Sequence, residues 1–116
     1  MKKSNELISD FYQKQKGFCY LKSINLYRNI DEDGCLKYSL NITLCEYPYY
    51  EEEQKLLLTF WNVTNLKICN LDGLFKLLIN INDISENQME GINYKVKEEE
   101  NEIFSFYSER FYFEII

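Results

Sequence analysis

The run from Lys55 to Cys69, K-L-L-L-T-F-W-N-V-T-N-L-K-I-C, decides the fold. Read as extended chain, it places Leu56, Leu58 and Phe60 on one face and Leu57, Thr59 and Trp61 on the other. An apolar run on both faces predicts a central strand covered on both sides. Asn62 opens a break, and Leu66 and Ile68 resume the alternation in a second short strand.

The same period of two continues upstream. From Cys35 to Tyr47, Leu36, Tyr38, Leu40, Ile42 and Leu44 alternate with Lys37, Ser39, Asn41, Thr43 and Cys45. This predicts a strand with one core face and one polar face, as in an antiparallel sheet. Phe18 to Arg28 predicts a further strand with Ile24 and Leu26 inward. The loop N-I-D-E-D-G, Asn29 to Gly34, joins the two, because Asp-Gly tolerates the positive φ of a hairpin turn. It lacks the ligand ladder and terminal Glu of an EF-hand calcium site.

Downstream, Asn70 to Lys76 reads as a turn or one helical turn. Leu77, Ile79 and Ile81 then face opposite to Asn80 and Asn82, and Ile92, Tyr94 and Val96 alternate with Asn93, Lys95 and Lys97. Lys97 to Glu102, K-E-E-E-N-E, reads as a charged hairpin tip. In the closing run, Phe104 and Phe106 are in one phase, whereas Phe111, Phe113 and Ile115 are in the other. That change predicts a β-bulge within Tyr107 to Arg110, or two faces that are both covered.

One helix precedes the strands. Ser4 can cap it, Leu7, Ile8, Phe11 and Tyr12 form an apolar stripe, and Gly17 can end it. The stripe needs a sheet to dock on. Trp61 faces away from the core that Phe60 enters, so the helix or a partner must cover it, and the stripe favours the helix. The expected architecture is mainly β: an antiparallel sheet or sandwich of about six to seven strands with one N-terminal helix packed on it. Residues 1–116 read as one domain, with the helix at 4–16 and the β-rich body at 18–116.

Composition bounds the function. With 46% hydrophobic and 28% charged residues the chain is globular, and ten Tyr and eight Phe supply a core despite 116 residues. A net charge of −6 argues against phosphate-backbone binding, so no nucleic-acid partner is expected. It favours solubility and the steering of a basic partner. No stretch approaches the roughly 20 apolar residues of a membrane span. The opening M-K-K-S-N-E-L-I-S-D lacks a signal-peptide core. A cytoplasmic protein with no membrane partner is the expectation.

Catalysis has little to stand on. There is no histidine, which removes Ser-His and Cys-His nucleophiles. There is no glycine-rich phosphate loop and no metal-ligand spacing, so neither cofactor nor metal is implied. Cys19, Cys35, Cys45 and Cys69 form no C-x-x-C pair and read as reduced, buried small hydrophobes. Glu51 to Glu53 and Glu98 to Glu100 read as solvated charge at loop tips.

Binding is better supported. Glu46 to Gln54, E-Y-P-Y-Y-E-E-E-Q, sets three tyrosines beside three glutamates, and Pro48 keeps it out of a central strand. Tyrosine is favoured in binding surfaces because it offers a large ring with few rotors. A solvated loop with its rings folded back on the sheet fits the same residues. The candidate partner-binding residues are Tyr47, Tyr49, Tyr50, Glu51, Glu52 and Glu53, then Asp31, Glu32 and Asp33, and Trp61.

Four segments carry a resemblance. They are L-L-L-T-F-W-N-V-T-N-L-K-I from Leu56, L-L-I-N-I-N-D-I from Leu77, I-N-Y-K-V-K-E-E from Ile92 and I-F-S-F-Y-S-E-R-F-Y-F-E-I from Ile103. Together they resemble small uncharacterised bacterial all-β proteins, some of them predicted immunity proteins of polymorphic toxin systems. Some of those proteins carry a His-Asp pair at the start of the first strand, where this chain has F-C-Y-L-K. The resemblance implies a non-enzymatic protein that neutralises a toxin by binding it, with acidic groups steering a basic toxin domain. Two other functions fit the residues. One is a self-associating homo-oligomer joined through a sheet edge or Trp61. The other is a small-ligand binder with a pocket between helix and sheet.

Overall fold

The computed structural model describes residues 4–30, 36–48, 50, 53–69, 76–99 and 102–116. One helix, α1 (Ser4–Gln15), precedes eight strands. These are β1 (Tyr20–Ile30), β2 (Leu36–Cys45), β3 (Leu56–Trp61), β4 (Thr64–Ile68), β5 (Ile79–Asp83), β6 (Tyr94–Glu98), β7 (Phe104–Ser108) and β8 (Arg110–Ile115). They form two four-stranded antiparallel sheets, β1-β2-β3-β8 and β4-β7-β6-β5. Six to seven strands become eight because the closing run divides at Glu109.

The inward phase of the first sheet lies in register across its strands. Leu26, Leu40, Phe60 and Phe111 form one row, and Ile24, Ile42, Leu58 and Phe113 the next. Leu40, Ile42, Leu44, Leu56, Leu58 and Phe60 are all but completely buried. Each contributes about 1.5–3 kcal/mol of apolar burial. From the second sheet, Leu77, Ile79, Ile81, Val96, Phe104 and Phe106 complete the core. Phe60 and Phe106 meet edge to face at 4.9 Å.

Two strand pairs pass from one sheet to the other. β3 becomes β4 across Asn62 and Val63, and β7 becomes β8 across Glu109. Asn62 takes φ 54, a left-handed conformation that Asn tolerates, and Val63 is buried. The phase change expected near Tyr107 to Arg110 is therefore the corner where a strand changes sheets.

The helix docks differently from the expectation. Phe11 enters the core and meets Phe113 at 5.9 Å. The helix runs beside β5, the edge of the second sheet, rather than over Trp61. Its side chains satisfy that edge. The Gln15 amide accepts from Ile79 N–H at 2.6 Å and donates to Ile79 C=O at 3.1 Å. The Tyr12 hydroxyl does the same for Ile81, both at 3.0 Å. A helix thus stands in for a fifth strand and closes an edge that could otherwise pair with another chain.

Three further expectations change. Leu26 is in the inward phase but 47% exposed, because β1 is the edge strand of its sheet, whereas Leu40 and Phe60 in the same row lie on the two central strands and are buried. Glu98 is not loop charge. It continues the inward phase of Tyr94 and Val96, is fully buried, and accepts the Leu78 N–H at 3.1 Å. Of the cysteines, Cys45 is buried, Cys19 half-buried and Cys69 exposed. Cys35, Glu100 and the segment 70–75 lie outside the described residues.

Candidate functional site

Strand alternation that sends one set of side chains into the core sends the other set outward. On the β1-β2-β3-β8 sheet that second set is covered only in part, from Ser39 at 0% to Tyr112 at 50% exposed. Tyr27, Ser39, Trp61 and Arg110 form one outward row, and Asn25, Asn41, Thr59 and Tyr112 the next. Arg110 is exposed, Tyr112 is 50% exposed, and Trp61, Thr59 and Leu57 are half-buried. The second covered face expected for β3 is therefore an open one.

Trp61 is held rather than loose. The Arg110 guanidinium lies 5.0 Å from its ring centroid, a cation–π arrangement. Ser39, between Tyr27 and Trp61 in register, is fully covered. The corner below fixes both partners' backbones. Trp61 C=O accepts from Glu109 N–H at 3.0 Å. The buried Ser108 hydroxyl lies 3.0 Å from Trp61 C=O and 2.7 Å from Arg110 C=O, and its single hydrogen can serve either. Asn93 donates to Glu109 C=O at 2.8 Å. Gly91 closes the corner with φ +71, and a Cβ there would come within 3.1 Å of Asn62 Nδ2.

The other candidate residues fall elsewhere. Tyr47 is 65% and Tyr50 62% exposed, and Glu53 is half-buried with its N–H donating to Tyr50 C=O at 3.0 Å. The Tyr47 ring meets Tyr20 at 5.1 Å. Tyr49, Glu51, Glu52, Asp31, Glu32 and Asp33 lie outside the described residues. In the sequence they flank β2, whose ten residues, Leu36–Cys45, span about 30 Å from end to end. Trp61 pairs with Ser39, near the Leu36 end.

Sequence reasoning missed Arg110 and Tyr112. Their signal was the phase change itself, since the residues after a corner must face outward where those before it faced inward. It also missed the protruding hairpin end. There the Arg28 guanidinium lies 5.3 Å from the Tyr38 ring centroid, and Arg28 Nε–H donates to the Tyr38 hydroxyl at 3.1 Å.

Among the described residues, no three His, Cys, Asp or Glu side chains gather where they could hold a metal ion. Burial pushes the Cys45 thiol above its ordinary value, and its Sγ–H donates to Tyr20 C=O at 3.5 Å. It is therefore a poor thiolate nucleophile. No described helix is long and apolar enough to cross a membrane.

Comparison with known proteins places the chain in a family. The model of the family described as immunity protein PIM8 matches residues 3–114. No curated protein and no solved structure matches the chain.

Proposed function

We propose that this chain, which belongs to the immunity protein PIM8 family, neutralises a toxin by binding it directly, without catalysis. An immunity protein implies a protein partner. The observation that supports the contact surface is the open outer face of β1-β2-β3-β8, with Trp61 clamped under Arg110 and Tyr112 beside them. Trp, Tyr and Arg are the residues that dominate binding energy at interfaces, because each buries a large, stiff surface and keeps a polar handle. A flat sheet face needs few rotamers frozen on binding, which keeps the ordering cost low.

The net charge of −6 supports a basic toxin domain as the partner. Long-range attraction would speed the encounter, and the aromatic face would hold the complex once formed. The toxin is met in the cytoplasm on this reading.

The test is co-expression of the tagged chain with the toxin it protects against. Cell survival should accompany a one-to-one complex that survives purification, with an association rate that falls as salt rises. The toxin recovered from that complex should have an unaltered mass. Protection without any complex, or with a covalently changed toxin, would contradict neutralisation by binding.

A further inference from the structure

The geometry points to a second site, a groove between α1 and β5 that takes a small amphiphile with an apolar body and one carboxylate. The groove has a volume of about 520 Å³ and is lined by Tyr12, Gln15, Lys16, Cys19 and residues 76–80 with Glu99. That volume falls within the range of small-ligand pockets. Leu77, Leu78 and Ile79 supply the apolar wall, and Leu78 is 44% exposed.

The charged groups left without an ion pair in the lining are cations. Tyr12 and Gln15 already spend their polar atoms on Ile81 and Ile79. Glu99 lies 3.8 Å from Lys97 Nζ. Lys16 and Lys76 are exposed and pair with no carboxylate among the described residues. Asn80 also lines the groove, with its Oδ1 buried. Two ammonium groups beside an apolar wall recognise an anion attached to hydrocarbon. The carbonyls at the end of α1 would oppose an anion, but those of Lys14 and Gln15 are bonded to Gly17 N–H and Phe18 N–H at 3.1 and 3.2 Å. Lys76 is fixed in place by the Tyr20–Lys76 bridge, and Leu77 N–H donates to Cys19 C=O at 2.7 Å.

Cys19 lines the groove, whereas Cys69 is exposed on the far edge strand β4 side, so alkylation can report occupancy. The experiment follows iodoacetamide labelling of each cysteine by peptide mass, on the full chain, with decanoate below its micelle concentration. Decanoate should slow labelling of Cys19 by about the factor 1 + [L]/Kd, roughly threefold at twice its Kd, and leave Cys69 unchanged. Decanol and inorganic phosphate should each protect far less. Lys16→Met with Lys76→Met should keep the melting temperature and lose the protection. Equal protection by decanol, equal protection by phosphate, or an unchanged Cys19 rate in decanoate would each overturn the assignment. So would protection that survives in the double variant.

Discussion

The two sheets share one core but turn different faces outward. The outer face of β1-β2-β3-β8 carries Tyr27, Trp61, Arg110 and Tyr112. The outer face of β4-β7-β6-β5 carries Lys67, Ser105, Lys97 and Asn80 in one row, and Thr64, Tyr107, Lys95 and Asn82 in the next. Both faces hold a cation over a ring, Arg110 over Trp61 at 5.0 Å and Lys95 over Tyr107 at 5.8 Å. They differ in what else is present. Three lysines in neighbouring register repel a basic partner, and lysine is depleted at interface centres. The difference teaches that period-two alternation assigns a side chain to the outside without saying whether the outside is solvent or partner. That distinction rests on residue type.

The comparison can be strained first from within. Both outer faces depend on the shared core, so Phe60→Ala should cost about 3–5 kcal/mol and lower the melting temperature by more than about 10 °C, read by thermal unfolding. If that loss is under about 1 kcal/mol, the ring contact of Phe60 with Phe106 is not the joint between the sheets. Next in size is the helix that closes β5. Gln15→Ala leaves the N–H and C=O of Ile79 unpaired at a buried edge and should cost about 2 kcal/mol or more. Sedimentation should also show mass rising with concentration as the edge becomes free to pair.

Much of this was legible in the sequence. The alternation of Leu40, Ile42 and Leu44 and of Leu56, Leu58 and Phe60 fixed the inward faces, because burial on one side of a pleat forces period two. Glu98 was not legible, because a run of four charged residues hides the phase it shares with Tyr94 and Val96. Leu26 was misplaced for a different reason. Its phase was right, but whether an inward residue is covered depends on whether its strand is central or at the edge of the sheet. Trp61 lost its expected cover because sheet order is a long-range property. Nothing local says that α1 lies along β5. The two acidic candidate groups were ranked by residue type, the tyrosine-bearing one first, although the strand between them was already legible in the alternation from Leu36 to Leu44.

Smaller effects sharpen the contrast between the outer faces. Arg110→Ala removes the cation from the Trp61 ring and should weaken toxin binding by about 1 kcal/mol, roughly fivefold in Kd, with stability nearly unchanged. Lys67→Ala with Lys95→Ala should alter Kd less than about twofold and stability within about 0.5 kcal/mol. A larger loss from the lysine pair than from Arg110→Ala would invert the assignment of the two faces.

The most direct test is the toxin affinity of Trp61→Ala, measured by calorimetry beside Lys95→Ala and the unaltered chain, after confirming that all three unfold cooperatively. Trp61→Ala should bind about 30-fold more weakly or worse, a loss of about 2 kcal/mol, while Lys95→Ala should bind as the unaltered chain does. Unchanged affinity in a folded Trp61→Ala variant would contradict the claim that the toxin lies on this face.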